Sequence, residues 1–169
     1  MWSPQNRMRM YIVGIRRDVQ LQPFEFPTSS QQRSCTLGNV LQPDNDKIPP
    51  HCYEMTDHMI DVVDCHAERI GPNFHRQNWI VNAGSSLSHG SCIRDCSCCI
   101  TRRSRPYLST KDRKLSPLEL QRIQGFPDCF QWGSTLITRQ HCLLGNTMSV
   151  YVMVAIIRQV LTSIGYLSD

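Results

Sequence analysis

The sequence lacks any run near the ~20 consecutive apolar residues that a membrane-spanning helix needs. Its longest apolar stretch, residues 150–157, has the length of a core helix. Residues 1–4 lead into no apolar segment ahead of a cleavage site, so no secretory leader is expected. These absences predict a chain with no membrane partner and an intracellular location, nuclear if the source is a eukaryote and cytoplasmic if it is a bacterium.

Paired cysteines and a strong excess of one charge are also missing. The 9 cysteines are odd in number, and without a leader the default is thiols in a reducing compartment. Lys and Arg number 18 against 14 Asp and Glu, a net charge of +4 that favours polyanions only mildly. The basic residues cluster at the start and from Arg94 to Lys114, whereas residues 44–68, Asp44 included, are mainly acidic. The basic segments are the better candidates for nucleic-acid contact, although two solvated basic faces would give the same pattern.

Residues 113–127 carry the local signals of a short helix. Ser116 can be its N-cap, Pro117 suits the first helical position, and Glu119 completes a capping box. Gly125 stands where a left-handed residue ends a helix. We expect a short, tightly delimited helix with a basic segment before it and Gly-Phe-Pro after it.

Near the start of the chain, the apolar run Met10–Ile15 predicts a β-strand covered on both faces, as in the middle of an α/β sheet. No βαβ repeat follows, so the neighbours of this strand must come from elsewhere. Just before it, alternation places Gln5, Arg7 and Arg9 on one side of an extended chain. Three polar donors on one face suit a phosphate backbone and an extruded nucleotide.

Other segments have simpler predicted structures. Apolar spacing predicts an amphipathic helix within residues 53–66 and a helix apolar on most faces over residues 148–164. Residues 78–82 are a predicted short strand, and residues 83–90 form a Gly/Ser loop. Residues 36–41 are a short ordered island in a segment rich in Pro, Ser, Gln and Asp.

Three segments resemble, in the same order, signature blocks of the cytosine-5 DNA methyltransferases. They are Gln5-x-Arg7-x-Arg9 for the eighth block, residues 113–127 for the ninth, and Gly145-Asn146-x-x-x-Val150 for the tenth. The resemblance covers residues 3–27 and 110–165 well and the middle loosely. It implies an α/β protein: a partial Rossmann-like S-adenosylmethionine-dependent methyltransferase fold plus a small, irregular recognition lobe.

The resemblance also implies a division of the chain and roles for individual residues. Residues 1–27 would be the last sheet strands of the catalytic domain, 28–110 the target-recognition region, and 111–169 the C-terminal helices closing back on the catalytic domain. Arg7 and Arg9 would be catalytic, acting at a flipped cytosine. The implied DNA-binding residues are Gln5, Arg7, Arg9, Thr101, Arg102, Arg103 and Arg105. The implied S-adenosylmethionine-binding residues are Asn146, Thr147 and Val150, where Gly145 would let the backbone approach a ligand.

The family reaction also needs residues that this chain lacks. Its thiolate nucleophile stands in a Pro-Cys motif and its base-holding glutamate in Glu-Asn-Val, and neither pair occurs here. Gly38 and Gly84 lack the strand–turn–helix context of the family's Gly-rich cofactor turn. The chain is therefore interpreted as the C-terminal part of a DNA (cytosine-5) methyltransferase, from a split enzyme or a partial gene product. We expect no methyl transfer by this chain on its own. The N-terminal catalytic half would be a separate or a missing polypeptide.

Two alternatives remain open at this stage. The first is a non-catalytic nucleic-acid-binding module with zinc on cysteines 92, 96, 98 and 99; the second regular pair of a structural zinc site is missing, so no metal is predicted. The second is part of a tRNA cytosine-5 methyltransferase, which Leu143–Asn146 and Cys99–Thr101 resemble faintly. Cys99 also departs from the Pro-Thr-hydrophobic-Thr pattern of the family, whereas Thr101 fits it. Residues 5–7 and 115–117 resemble the DNA branch more.

Overall fold

The computed structural model describes residues 4–28, 36–43, 46–88 and 90–167. Asp44 of the acidic segment and Cys35 among the cysteines lie outside these ranges. The α-helices of the described residues are α1 (Asp57–Ile70), α2 (Pro117–Ile123), α3 (Ile137–Asn146) and α4 (Val150–Ser163). The strands are β1 (Trp79–Asn82), β2 (Cys92–Arg94), β3 (Pro106–Leu108) and β4 (Arg113–Lys114). Short 3-10 turns cover Leu37–Asn39, Pro50–Cys52, Gly71–Asn73 and Ser109–Lys111.

The four strands form one antiparallel sheet in the order β2-β1-β3-β4. Ile80 of β1 faces Leu108 of β3, and the next pair along is Val81 with Tyr107. Because successive side chains of a strand point to opposite faces, these two pairs belong to different cores. The sheet is therefore covered on both sides, as the burial of all four side chains requires.

One core lies between the sheet and the C-terminal helices, and the other lies beneath α1. The first contains Leu37, Val40, Ile80, Cys98, Ile100, Leu108, Leu115, Leu120, Ile123 and Leu144. The second contains Val62, Val63, Phe74, Val81, Ala83 and Tyr107. Thus the predicted ordered island at residues 36–41 is a 3-10 turn that contributes to the first core.

Two elements of the middle region agree with prediction. The amphipathic helix expected within residues 53–66 is α1, which begins later because the Thr56 hydroxyl caps it by accepting from the Met59 amide at 3.4 Å. It ends at Gly71, whose φ is 73°. The strand expected at residues 78–82 is β1, with its two central residues buried.

The prediction of a β-strand at Met10–Ile15 is wrong for this chain by itself. Residues 10–15 form no strand, and Met8, Met10 and Ile12 are 95%, 88% and 91% exposed. The backbone hydrogen bonds that tie this segment to other described residues lie beyond its two ends: the Asn6 amide donates to the Ser97 carbonyl at 2.8 Å, and the Leu21 amide to the Ser163 carbonyl at 2.9 Å. No second strand of the described residues lies beside it, so its backbone has no ladder to join.

The C-terminal helices add one correction and one agreement. Gly145 and Asn146 are the last two residues of α3, a helix that the sequence did not predict. The helix expected over residues 148–164 is α4. Among the described residues no single helix is long and apolar enough to cross a membrane; α3 and α4, bent by 44° at their junction, meet those criteria only as a pair.

As a class, the structure mixes helices with a small sheet, as expected of an α/β protein. The sheet is antiparallel and runs from residue 79 to residue 114, so it coincides with the predicted recognition region and the residues just after it. The described residues contain no parallel Rossmann-like sheet.

Candidate functional site

Helix α2 is anchored by a buried carboxylate. Ser116 caps the helix as predicted, and the Glu119 side chain accepts from the Ser116 amide at 2.8 Å. Glu119 is fully buried and also accepts from both terminal nitrogens of Arg113, at 2.7 and 2.8 Å, and from the Gln42 amide at 2.9 Å. These hydrogen bonds hold the pKa of Arg113 above its usual value, with burial acting in the opposite direction.

The residue that follows α2, Gln124, connects three distant parts of the chain. Its side chain accepts from Gln5 at 3.0 Å and donates to the Leu144 carbonyl at 2.8 Å. Its own carbonyl accepts from the Val150 amide, also at 2.8 Å. Gln124 is fully buried, so each of these hydrogen bonds satisfies a polar group that has no access to water.

Arg7 forms a second connection between the same segments. Its guanidinium donates to the Ile100 carbonyl, to the Gly145 carbonyl at 3.2 Å and to the Thr147 carbonyl at 2.8 Å. The Arg7 Nε atom is buried and has no hydrogen-bond partner among the described residues. Burial is the main reason that the pKa of Arg7 lies below its usual value. In this structure Arg7 therefore joins the N-terminal segment to the C-terminal end of α3.

Gly145 is required by a close approach of backbone. A Cβ atom at this position would lie 2.3 Å from the carbonyl carbon of Thr101 and 2.4 Å from the amide nitrogen of Arg102. The prediction that Gly145 admits a ligand is thus corrected: the group it admits is the chain's own 101–102 backbone. Gly125 has φ of 86° and packs against Tyr151, whose ring would lie 2.8 Å from a Cβ.

Together these contacts bring the three motif segments to one place. Gln5 and Arg7 come from the first segment, Gln124 directly follows the helix of the second, and Gly145 and Thr147 belong to the third. We call this set of contacts the junction. Its members are far apart in sequence, so the two ends of the chain meet in one fold.

The predicted DNA-binding residues divide into two groups. Arg9, Arg102 and Arg103 are exposed, and their side chains form no hydrogen bond or ion pair within the part of the chain that the structure describes. The others serve the fold. Gln5 and Arg7 belong to the junction, the Thr101 hydroxyl accepts from the Ser104 amide at 3.1 Å, and Arg105 donates to the Ser104 carbonyl at 2.8 Å.

The predicted cofactor residues surround the turn between α3 and α4. Asn146 is exposed, and its side-chain amide makes no hydrogen bond with any described residue. This side chain can therefore contact a ligand. Thr147 and Val150 are half-buried, and the Thr147 hydroxyl donates to the Leu144 carbonyl at 2.8 Å. The residues present therefore fit one wall of a polar ligand site.

In the cysteine-rich segment Cys98 is buried, and Cys92, Cys96 and Cys99 are half-buried. Burial raises the pKa of the Cys92 thiol to about 11 and that of Cys98 to about 12. Within the described ranges, no group of three or more His, Cys, Asp or Glu side chains is placed to hold one metal ion. A zinc ligand is a thiolate, so these raised pKa values work against metal binding.

Sequence analysis did not identify Gln42 or Gln124 as important. Gln124 lies next to a well-predicted helix end, and its burial could have been inferred only from the apolar face that it shares with Leu120 and Ile123. The side-chain oxygen of Gln42 accepts from the Ser116 hydroxyl, and its main-chain N–H donates to the Glu119 carboxylate. Nothing in the sequence near Gln42 indicates that partnership.

The sequence of this chain is similar to those of known proteins. Residues 3–162 match the family model described as C-5 cytosine-specific DNA methylase. Type II methyltransferase M.HpaII of Haemophilus parainfluenzae is 26% identical over 98% of this chain and 49% of its own length. M.FnuDI of Fusobacterium nucleatum is 26% identical over 94% of this chain and 52% of its own length. M.NgoBI of Neisseria gonorrhoeae is 30% identical over 90% of this chain and 44% of its own length. The chain spans about half the length of the curated relatives it matches.

Proposed function

Because this chain belongs to the C-5 cytosine-specific DNA methylase family, we propose that it is the C-terminal portion or subunit of a DNA (cytosine-5) methyltransferase. The enzyme would transfer a methyl group from S-adenosylmethionine to C5 of a flipped cytosine. The observation that carries the proposal is the junction, where segments resembling the eighth, ninth and tenth family blocks meet through Arg7 and Gln124.

The proposed DNA contacts belong to the exposed arginines. Arg9, Arg102 and Arg103 have guanidinium groups that no described residue engages. A guanidinium offers a planar fork of donors that binds phosphate or a base oxygen bidentately. Within the whole enzyme, Arg9 would reach the flipped cytosine and Arg7 would hold the Arg9 segment against the tenth block.

This chain would supply one wall of the cofactor pocket. S-adenosylmethionine would provide the methyl group, and Asn146, Thr147 and Val150 would contact it. Asn146 has both a donor and an acceptor exposed for the polar end of such a ligand. The Gly-rich turn of the first cofactor-binding strand is absent from this sequence, so the rest of the pocket would come from another polypeptide segment.

A separate or missing N-terminal half would be the main partner. It would carry the Pro-Cys nucleophile and the Glu-Asn-Val glutamate, which this chain lacks. The surface proposed to receive it is the exposed strip Met8, Met10 and Ile12, whose backbone has no ladder partner in the described residues. Three large apolar side chains almost fully exposed on one edge favour a missing neighbour.

Reconstitution tests this proposal. The chain is co-expressed with an N-terminal half that carries the Pro-Cys and Glu-Asn-Val motifs, and transfer of labelled methyl is measured on duplex DNA and on tRNA. We expect methylated DNA from the complex and none from either half. Methylated tRNA with unmethylated DNA would move the chain to the tRNA branch. A folded, DNA-binding complex without methyl transfer would instead favour a non-catalytic binding module.

Two variants of the complex test the residue roles. Arg9→Lys is expected to lower the methyl-transfer rate with little change in cofactor affinity, because Lys has no bidentate fork. Asn146→Ala is expected to weaken S-adenosylmethionine binding with little change in DNA affinity. If both variants methylate at the parent rate, these residue assignments are wrong while the family assignment stands.

A further inference from the structure

A cavity of about 410 Å³ lies away from the junction, between the β3–β4 edge of the sheet and helix α3. One part of its wall is apolar and is formed by Pro106, Leu115, Pro117 and Ile137. The other part carries nitrogen-bearing side chains, which are Arg105, Lys114, His51 and His141. This volume falls within the range of about 300–1,000 Å³ that is usual for small-molecule sites.

The two cations of this cavity have no carboxylate partner. The Lys114 ammonium donates to the backbone carbonyl of Glu54, and Arg105 donates to the carbonyls of Ser104 and Arg102 at 2.8 and 3.3 Å. Within the described part of the chain, neither side chain forms an ion pair. Arg105 uses one terminal nitrogen for these bonds, which leaves its other donors available.

The nearby carboxylates do not neutralise the cavity. Glu54 contributes to the wall, but the contact that Lys114 makes with it is to the main chain. Glu119 is the buried carboxylate of the neighbouring helix, and it is already paired bidentately with Arg113. The lining therefore carries two cations against one carboxylate, and its net charge is positive.

Burial is the main cause of the pKa shifts of two lining groups, and the charge of Arg105 is a smaller one. Burial lowers the pKa of Lys114 and Arg105 adds to this, whereas Cys52 and Glu54 oppose it. Burial and then the charge of Arg105 lower the pKa of His141 to about 4, with the Arg102 backbone opposing. At neutral pH the His141 ring is uncharged.

His141 packs against Arg105 in this wall. Its Nδ1 atom lies 3.2 Å from a terminal nitrogen of Arg105. Its Nε2 atom is buried and has no hydrogen-bond partner in the described ranges. The wall thus holds an unsatisfied polar atom in addition to its two cations.

We propose that this cavity binds the phosphate group of a nucleotide, with Arg105 and Lys114 as its charged donors. Phosphate oxygens accept several charge-assisted hydrogen bonds at once, which suits a guanidinium fork beside an ammonium. The apolar wall of Pro106, Leu115 and Ile137 gives the sugar or base a dry surface. The proposal that the phosphate belongs to a nucleotide rests on the proposed function. The placement of Arg105 and Lys114 in one cavity is independent of that function.

The phosphate could come from a DNA strand or from a free mononucleotide, and binding measurements separate the two. The full chain is titrated at neutral pH with a short DNA duplex, with thymidine 5′-monophosphate and with thymidine. Arg105→Gln and Lys114→Gln are expected to weaken the binding of the phosphate-bearing ligand by about tenfold or more each. Arg158→Gln removes an exposed charge on α4 that does not line the cavity, and is the matched control.

The pattern of results identifies the source of the phosphate. Binding of the monophosphate but not of thymidine, lost in both cavity variants, indicates a free nucleotide. Binding of the duplex but not of the monophosphate indicates a DNA strand. In that case both cavity variants should bind the duplex more weakly, and each should reduce the slope of log affinity against log salt concentration by about one. Unchanged affinities for every ligand in both folded variants would overturn the proposal.

A second measurement avoids any effect of the substitutions on folding. In the unaltered chain, the ring resonances of His141 are followed by NMR as pH is lowered, with and without saturating ligand. An anion beside the ring favours the imidazolium, so bound phosphate is expected to raise the pKa of His141 from about 4 toward its usual value. An unchanged His141 titration at saturation would contradict the site. Neither measurement depends on methyl transfer, so failure of this site and failure of the proposed function are distinguishable.

Discussion

The junction and the exposed strip at residues 8–12 are neighbouring parts of the same N-terminal segment, yet they differ in completeness. At the junction, Gln5 and Arg7 find partners within the chain, and Gln124 is fully buried with its amide bonded on both sides. A few residues later, Met8, Met10 and Ile12 are almost fully exposed and their backbone joins no strand. Gln5 and Arg7 are therefore bonded to the rest of the chain, whereas the side chains of Met8, Met10 and Ile12 remain exposed.

This difference indicates which contacts stabilise the fold and which surface would bind a partner. The buried side chain of Gln124 is paired at both of its polar atoms, and removing one of its partners would leave a buried group unsatisfied. An exposed apolar edge contributes little to the stability of the isolated chain and favours association. Substitutions at the buried contacts should therefore unfold the chain, whereas substitutions in the strip should change its association.

The largest effect is expected at the buried ion pair that fixes α2. Arg113→Ala leaves the Glu119 carboxylate buried without its bidentate partner, and should lower the free energy of unfolding by ~3–5 kcal/mol. Arg122→Ala breaks the pair with Asp128, which is partly exposed, and should cost less than ~1 kcal/mol. Urea unfolding of both variants makes the comparison. Equal losses would show that burial does not distinguish the two pairs.

A smaller loss is expected from Gly145→Ala. Its methyl group would overlap the Thr101–Arg102 backbone, and adjustment of that backbone should cost about 1–3 kcal/mol. Gly14→Ala is the matched control, because no atom lies within 4 Å of a Cβ placed there. The two thermal midpoints are compared. A Gly145→Ala variant as stable as Gly14→Ala would mean that the α3 end does not contact residues 101–102.

The stability of the chain should also depend on His141 below neutral pH. Its pKa is about 4 in the folded chain, below the ordinary value of 6.5, so between these values the unfolded chain binds more protons. Stability is fully present above about pH 6.5 and decreases as pH falls toward 4, by on the order of 1–2 kcal/mol for a partly buried group. His141→Gln should remove this component. Identical pH profiles of unfolding in the parent and the variant would contradict it.

The smallest effect on folding is expected in the strip. Replacing Met8, Met10 and Ile12 together by Ser, Ser and Thr should change the free energy of unfolding by less than ~0.5 kcal/mol per site. The same variant should be more soluble and less self-associated than the parent, as measured by sedimentation. A matched variant in another exposed segment, Leu87→Ser, should leave association unchanged. Monomeric, cooperatively unfolding parent protein would argue against an incomplete edge.

The parts of the fold that sequence predicted well depend on neighbouring residues. Helix α2 has its cap, its capping box and its terminating glycine within ten positions, so each signal could be recognised locally. Helix α1 and strand β1 have regular apolar periodicity. Helix α3 was missed because Leu136 provides no side-chain cap and Gly145-Asn146 resembles a loop.

The contacts of the junction could not be predicted individually, because their partners are distant. Gln124 bonds with Gln5, 119 residues away, and with the Leu144 carbonyl, 20 residues away. Sequence similarity indicated that the motif segments belong together but assigned Arg7 and Gly145 to ligands. In the structure both contact the chain's own backbone.

Hydrogen exchange, measured on the chain by itself and on its complex with an N-terminal half, tests the central claim most directly. The Val150 amide, bonded to Gln124, should be protected in both samples. The amides of residues 8–13 should exchange at nearly the unstructured rate in the isolated chain and become protected in the complex, as a strand gains its neighbours. Protection of residues 8–13 in the isolated chain, or none in a complex that methylates DNA, would contradict the account.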